Sequence, residues 1–313
     1  MSKLTFKLKV LTPMFMGGAD PHGQPELRAA SIRGAMRFWF RAIAGAIIDD
    51  PKEVYKLESE VFGNTERKSN VVVKVIKQPK VREFNRCVDK RTINYIGYGL
   101  YGMGGKPSRK CLWGDAEFEL EFPPRCQNLI GYTLWFIQKI GGLGARSRKG
   151  FGSVQISTSK NDLINKTLNL PFQQMLQSSY LKEHVKKALD KLVKDDLDFV
   201  SESAFPSLSP HLFIYKLIMT NERDYRKLLG KINKIYRDLR RNLPPKKRLY
   251  LGFSHGDNRR SSPLYLRPIK FSEDDAFKIL LFLFKNEIPD PDFEELFNEI
   301  TDRFENDGRF GYA

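Results

Sequence analysis

The sequence predicts an α+β fold built from two similar units. Three observations carry that prediction. Short runs alternate apolar and polar residues with period two; a cationic amphipathic helix follows an early run in each half; and 313 residues suffice for two domains with separate cores. Hydrophobic residues make up 41% of the chain, enough for a packed interior, and no apolar run reaches the length of a membrane span.

The first run, Leu4-Thr5-Phe6-Lys7-Leu8-Lys9-Val10-Leu11, alternates cleanly and predicts a strand with one buried face. A Gly- and Pro-rich loop (12–30) leads to Ser31, a suitable N-cap. Over 32–44, Ile32, Met36, Trp39 and Ile43 fall within about 60° of one another at about 100° per residue. Arg33, Arg37 and Arg41 form a ridge on the flank. No carboxylate occurs from Ala29 to Ile48, whereas a helix with a merely solvated face mixes signs, so the ridge is expected to meet a polyanion.

A second helix is predicted near 52–61, then a β-branched strand through 70–77 and a strand over 114–122, where Glu117, Glu119 and Glu121 alternate with Phe118 and Leu120. Between these strands lies an insertion (about 80–112) in which Tyr95, Tyr98 and Tyr101 sit among glycines with cations on both sides. Two roles are open to it: stacking unpaired bases, or covering the edge of the core. An apolar helix (128–139) delivers the chain into IGGLGARSRKGFGSV (140–154), and Val154-Gln155-Ile156 reads as a strand. Strand, helix, strand, strand, helix, strand is the ferredoxin-like plan, which assigns 1–160 to a first domain.

Residues 161–200 read as a helical connector of mixed charge. The plan then restarts over 201–313, with a strand at 211–219 and a long helix at 221–241. That helix carries Arg226, Lys227, Lys231, Lys234, Arg237, Arg240 and Arg241 outward and is stopped by Pro244-Pro245. Two strand-like arms span 249–271. Residues 276–284 fit strand or helix by periodicity, and the β-rich context favours strand. An acidic amphipathic helix closes the pattern at 291–305.

Charge is unevenly spread. Residues 1–160 hold 27 Lys+Arg against 14 Asp+Glu, 161–269 hold 21 against 11, and 270–313 hold 5 against 12. Two basic blocks before an acidic end suit a phosphate-rich polymer, because neutralising phosphates releases counterions without any sequence readout.

The glycine segment is not a nucleotide loop. It has no Gly-Lys pair for a P-loop, and a dinucleotide fingerprint would need glycine at Ser147 or Gln155. What remains is a run of glycines among Arg146, Arg148 and Lys149, able to approach a polyanion closely. No cofactor and no metal site are expected. Of four scattered histidines, His22, near Asp20 in the first loop, and His255, beside Asp257, merit weighing as general bases. Cys87, Cys111 and Cys126 are too widely spaced for zinc and odd in number for a disulfide framework, so they read as ordinary thiols of a reducing cytoplasm. The opening MSKLTFKLKVLTP has no continuous apolar core of a signal peptide, so a cytoplasmic location is expected.

LRAASIRGAMRFWFRA (27–42), NYIGYGL (94–100), the glycine segment and RRSSPLYLR (259–267) together resemble the RAMP superfamily of CRISPR effector subunits. Within it, the chain resembles the first-numbered RAMP subunit of the type III-B Cmr complex. The resemblance implies two tandem ferredoxin-like (RRM-like) domains with a central basic cleft. It further implies a subunit that binds single-stranded guide or target RNA near the guide 3′ end, beside other RAMP subunits, without cutting. The binding surface would comprise Arg28, Arg33, Arg37 and Arg41, Gly142, Gly144, Arg146, Arg148, Lys149 and Gly150, Arg259 and Arg260, with Tyr98 stacking a base. RAMP relatives also include endoribonucleases, and His22 or Asp20 would then be catalytic. The aromatic signature of RRM sheets is absent, so backbone binding is the expected mode.

Overall fold

The computed structural model describes residues 1–20, 22–102, 107–159, 161–193, 198–248, 251–255, 258–260, 262–272, 275–285 and 293–306, with backbone alone at 246, 253–255 and 258–260. β1 (Ser2–Val10) opens the chain, followed by α1 (Ala29–Ala44), α2 (Pro51–Phe62), β2 (Val72–Lys77) and the short β3 (Lys80–Arg82). Next come two one-turn helices, α3 (Phe84–Cys87) and α4 (Lys90–Ile93), then β4 (Cys111–Trp113), β5 (Asp115–Phe122), α5 (Gln127–Phe136), a π turn (Ile137–Gly141) and β6 (Val154–Ser157). α6 (Asp162–Leu168), α7 (Phe172–Met175) and α8 (Ser178–Leu189) lead to β7 (Phe213–Ile218) and α9 (Tyr225–Asn242). The chain continues through α10 (Pro245–Arg248), β8 (Phe253–His255), β9 (Asn258–Arg260), β10 (Leu264–Ile269), β11 (Lys278–Phe284) and α11 (Phe293–Glu305). No helix among the described residues is long and apolar enough to cross a membrane.

The first sheet runs β2-β5-β1-β6 with every neighbour antiparallel. β1 lies between β5, with Phe6 opposite Phe118, and β6, with Leu8 opposite Ile156. Phe6, Leu8, Phe118 and Leu120 face inward and share a core with Ile32, Met36, Trp39 and Phe40 of α1 and with Leu134 and Trp135 of α5. The alternate residues explain the carboxylate pattern: Lys3 Nζ lies 3.0 Å from Glu119 and 3.5 Å from Glu121. The outer face of this sheet therefore sets lysines of β1 and β2 opposite the carboxylates of β5, a mixed surface whose charges offset one another. α6 and α8 pack on α5, so much of the expected connector belongs to this core.

The second sheet has the order β10-β11-β7, again antiparallel. One face packs on the first core through Tyr265, Ile269, Leu280, Phe282 and Phe284. The other packs under α9 and α11 through Leu264, Leu266, Ile279, Leu281 and Leu283. Burial on both faces is why 279–284 is a continuous apolar run with no period to read.

The cysteine expectation is corrected: Cys87 and Cys111 are joined as a disulfide with Cα atoms 6.6 Å apart, and Cys126 alone is free and buried. Both partners lie in the insertion, which folds back until they meet, a closure that spacing along the chain does not reveal.

Candidate nucleic-acid interface

The glycine segment is the joint between the two sheets. After the π turn, Gly142 takes φ +91°, and a Cβ there would lie 2.2 Å from Nη1 of Arg267 on β10. Leu143 N–H donates to the Gly152 carbonyl at 3.0 Å, and Ala145 N–H to Phe15 at 2.7 Å, closing the loop on itself and on the first loop. Lys149 pairs as an isolated parallel bridge with Leu266, whose N–H donates to the Arg148 carbonyl at 3.0 Å. Gly144 is packed against the Phe15 carbonyl and Gly150 against Leu229 of α9. These glycines bring protein against protein, where the sequence led us to expect RNA.

Lys149 departs furthest from expectation. It is 6% exposed, and its ammonium donates to Tyr236 Oη at 2.5 Å and to Ser262 Oγ at 2.7 Å while lying 4.0 Å from the Tyr236 ring centroid. Burial, reinforced by Arg146, Arg240 and Arg148 nearby, holds its pKa well below the ordinary lysine value. Burial also pushes the Tyr236 phenol up to about 12. Lys149 therefore fastens the segment to the second unit and offers no surface charge.

The helix ridge divides in the same way. Glu58 of α2, 2% exposed, accepts from Arg37 Nε at 2.5 Å and from Arg41 Nη1 at 2.8 Å, and Arg37 Nη1 also donates to the Gly63 carbonyl. Both arginines are paired side chains that tie α1 to α2. The missing carboxylate is supplied by the next helix, beyond the carboxylate-free stretch that ends at Ile48. Arg33 has no carboxylate partner among the described residues, and Arg28 is exposed beside Glu26 at 3.7 Å.

Between the start of α1, the glycine segment and β10 lies a solvent-open cavity of about 250 Å³. Its walls include Phe38 and Trp39 of α1, Gly142, Ser147, Arg148 and Tyr265. The Arg148 guanidinium lies 4.6 Å from the Tyr265 ring centroid and donates to the Ser262 carbonyl at 2.8 Å. Arg146 is exposed, in the left-handed region at φ 60°, and its Nη2 donates to the Tyr98 carbonyl at 2.5 Å. Of the expected cations, Arg148 lines this cavity, Arg28 and Arg33 stand at the start of α1 next to its lining residues Ser31 and Ala35, and Arg146 reaches to the insertion. Sequence reasoning missed Arg267, a fully buried guanidinium whose Nε and Nη1 find no partner among the described residues and whose pKa burial lowers to about 9.

Tyr98 is half exposed and meets Tyr101 edge-on at 6.4 Å. The insertion is clamped on the second unit, since Asn233 of α9 accepts from the N–H groups of Tyr95 and Ile96. His22 directs Nδ1 at the Pro107 carbonyl, and Asp20 accepts the backbone N–H of His22, so both serve a turn. The side chains of Arg259, Arg260 and His255, and all of Asp257, lie outside the described residues.

The pattern of the RAMP superfamily matches residues 7–155. Among curated proteins, the CRISPR system Cmr subunit Cmr1-1 of Pyrococcus furiosus is 27% identical over 88% of this chain and 86% of its own length. Cmr1-2 of the same organism is 31% identical over 52% of this chain and all of its own length. The apo crystal structure of Cmr1 from P. furiosus superposes with a TM-score of 0.64 at 24% identity, covering 91% of this chain and 88% of that one. A chain of the type III-B Cmr-β complex, seen by cryo-EM bound to cognate target RNA, superposes at 0.60 with 13% identity, over 97% of this chain and all of its own. The chain thus belongs to the RAMP superfamily, within the family of the Cmr1 subunits.

Proposed function

We propose that the chain is a non-catalytic subunit that holds single-stranded guide or target RNA near the guide 3′ end, in a basic cleft between two ferredoxin-like units. The observation that carries this is the cleft itself. Arg148 lines an aromatic-walled cavity at the joint between the two sheets, and Arg28, Arg33 and Arg146 lie on the two segments that wall it, the start of α1 and the glycine segment. Phosphates would sit on these cations, and Phe38 and Tyr265 supply apolar wall for an unpaired base. The strand order of the first sheet and the recurrence of strand, cationic helix and strands in the second half support the ferredoxin-like reading. The similar chain of the Cmr-β complex bound to cognate target RNA supports RNA and Cmr subunits as partners.

The test is fluorescence anisotropy of labelled single-stranded RNA across a salt series. Arg28→Ala with Arg33→Ala should weaken binding and flatten the log–log salt slope by about 0.7 for each phosphate that is no longer neutralised. Unchanged affinity and slope would remove the cleft. Labelled RNA incubated with the protein should stay intact with and without His22→Ala or Asp20→Ala, and cleavage that His22→Ala abolishes would overturn the non-catalytic reading.

A further inference from the structure

The cationic face of α9 takes no part in the cleft. Arg226, Lys227, Lys234, Arg237 and Arg241 fall within about 100° of arc, and at 1.5 Å per residue the stripe runs about 22 Å along the helix. Lys227, Lys234 and Arg241 are exposed and have no carboxylate partner among the described residues. Arg237 lies 3.4 Å from Asp238, and Lys231, on the flank, lies 3.1 Å from Glu222.

This stripe is one wall of a groove whose other wall is the insertion. Arg226 bridges them, donating Nη2 to the Arg86 carbonyl, while Tyr225 Oη donates to the Cys87 carbonyl at 3.1 Å. A cavity of about 410 Å³ opens between Val88 and Thr92 on one side and Gly230 and Lys234 on the other. A second, of about 540 Å³, adjoins it at Asn85 and Arg226 and reaches Arg82 and Arg86. Gly230 is the helix position where any side chain would begin to fill the groove, since a Cβ there would stand 3.7 Å from Thr92 Cβ. Two carboxylates stand at the rim among the described residues: Asp89, which accepts the Arg91 N–H at the start of α4, and Glu83, 3.0 Å from Lys110 Nζ.

We propose that this seam is a second RNA track, with the phosphates of one unpaired strand on Lys227, Lys234 and Arg241 and a base lodged over Val88 and Gly230. Cations spaced along a groove with an apolar floor match a chain that alternates phosphates with flat rings better than they match an acidic protein surface. Contacts through the insertion link the groove to the glycine segment that walls the cleft. Tyr95, under Arg240 at 6.0 Å, and Tyr98, whose carbonyl receives Arg146, stand between α9 and the glycine segment. The inference rests on the cleft reading and extends it.

Its test compares a short with a long labelled oligouridine by anisotropy, on the full chain, across about 50–200 mM salt. Lys227→Ala/Lys234→Ala/Arg241→Ala should weaken the long RNA at least tenfold and flatten its salt slope by about 2, with the short RNA held as before by the cleft. Gly230→Gln, on a half-buried helix position that tolerates a side chain, should weaken the long RNA alone. Wild-type affinity and slope in the triple variant would overturn the track, as would equal loss for both RNAs. A triple variant that keeps RNA but loses polyglutamate would assign the stripe to an acidic protein and overturn it too. A wild-type chain that binds neither RNA would overturn the cleft reading as well, which separates the two failures.

Discussion

At the scale of residues, charge in this chain has to be sorted by what surrounds it. Lys149 is a buried base whose folded-state pKa lies below its unfolded value, so the unfolded chain binds more protons across that interval, and wild-type stability rises with pH through it. Lys149→Met removes that dependence. Urea midpoints measured from pH 7 to the alkaline side should show the wild type gaining on the variant as pH rises, and a constant gap would mean that the ammonium carries no such linkage. Glu58 is the opposite case, a buried carboxylate serving two half-buried arginines. Glu58→Gln should cost about 1.5–3 kcal/mol in a urea titration, the range for hydrogen bonds to charged groups. Arg37→Ala should likewise lower stability while leaving the salt slope of RNA binding untouched, in contrast to Arg33→Ala.

Among the elements, the glycine segment and α1 differ in what their glycines do. Gly152 takes φ +62°, and a Cβ there would fall 1.8 Å from the Leu143 carbonyl oxygen, which the facing backbone cannot clear. Gly152→Ala should therefore destabilise by about 3 kcal/mol or more, judged by thermal unfolding. Gly34, exposed on α1 with open space around it, should gain about 0.5–1 kcal/mol on change to alanine. The disulfide closes a 24-residue separation around the insertion, and Cys87→Ser with Cys111→Ser should cost about 3.5 kcal/mol by the loop-entropy estimate. Elements whose residues alternate were legible in the sequence: β1, β5, α1 and α9 lie where the periods place them. Partnerships across elements were not. Glu58 sits 17 residues beyond Arg41, Cys111 lies 24 beyond Cys87, and the Lys149 partners Tyr236 and Ser262 lie 87 and 113 residues away, distances at which no local pattern speaks. Of the expected site, Arg148 lines the cleft and Arg28, Arg33 and Arg146 lie on the segments that wall it, whereas Lys149, Arg37 and Arg41 leave it because a short window counts charges without their partners.

For the whole molecule, the two cores are separated by a single sheet that both of them cover. β10 and β11 present Tyr265, Phe282 and Phe284 to one core and Leu266, Leu281 and Leu283 to the other, so neither half can lose its neighbour without exposing a plane of aromatic and aliphatic side chains. Far-UV circular dichroism and tryptophan fluorescence should consequently report one coincident unfolding transition. All three tryptophans, Trp39, Trp113 and Trp135, belong to the first half, which makes their agreement with the global signal a stringent comparison. The shared sheet also makes the chain a natural split reporter. Cut in the segment between α8 and β7, the two pieces would each carry half of a sticky plane, and fusing them to two candidate interactors would convert encounter of those proteins into restoration of the sandwich.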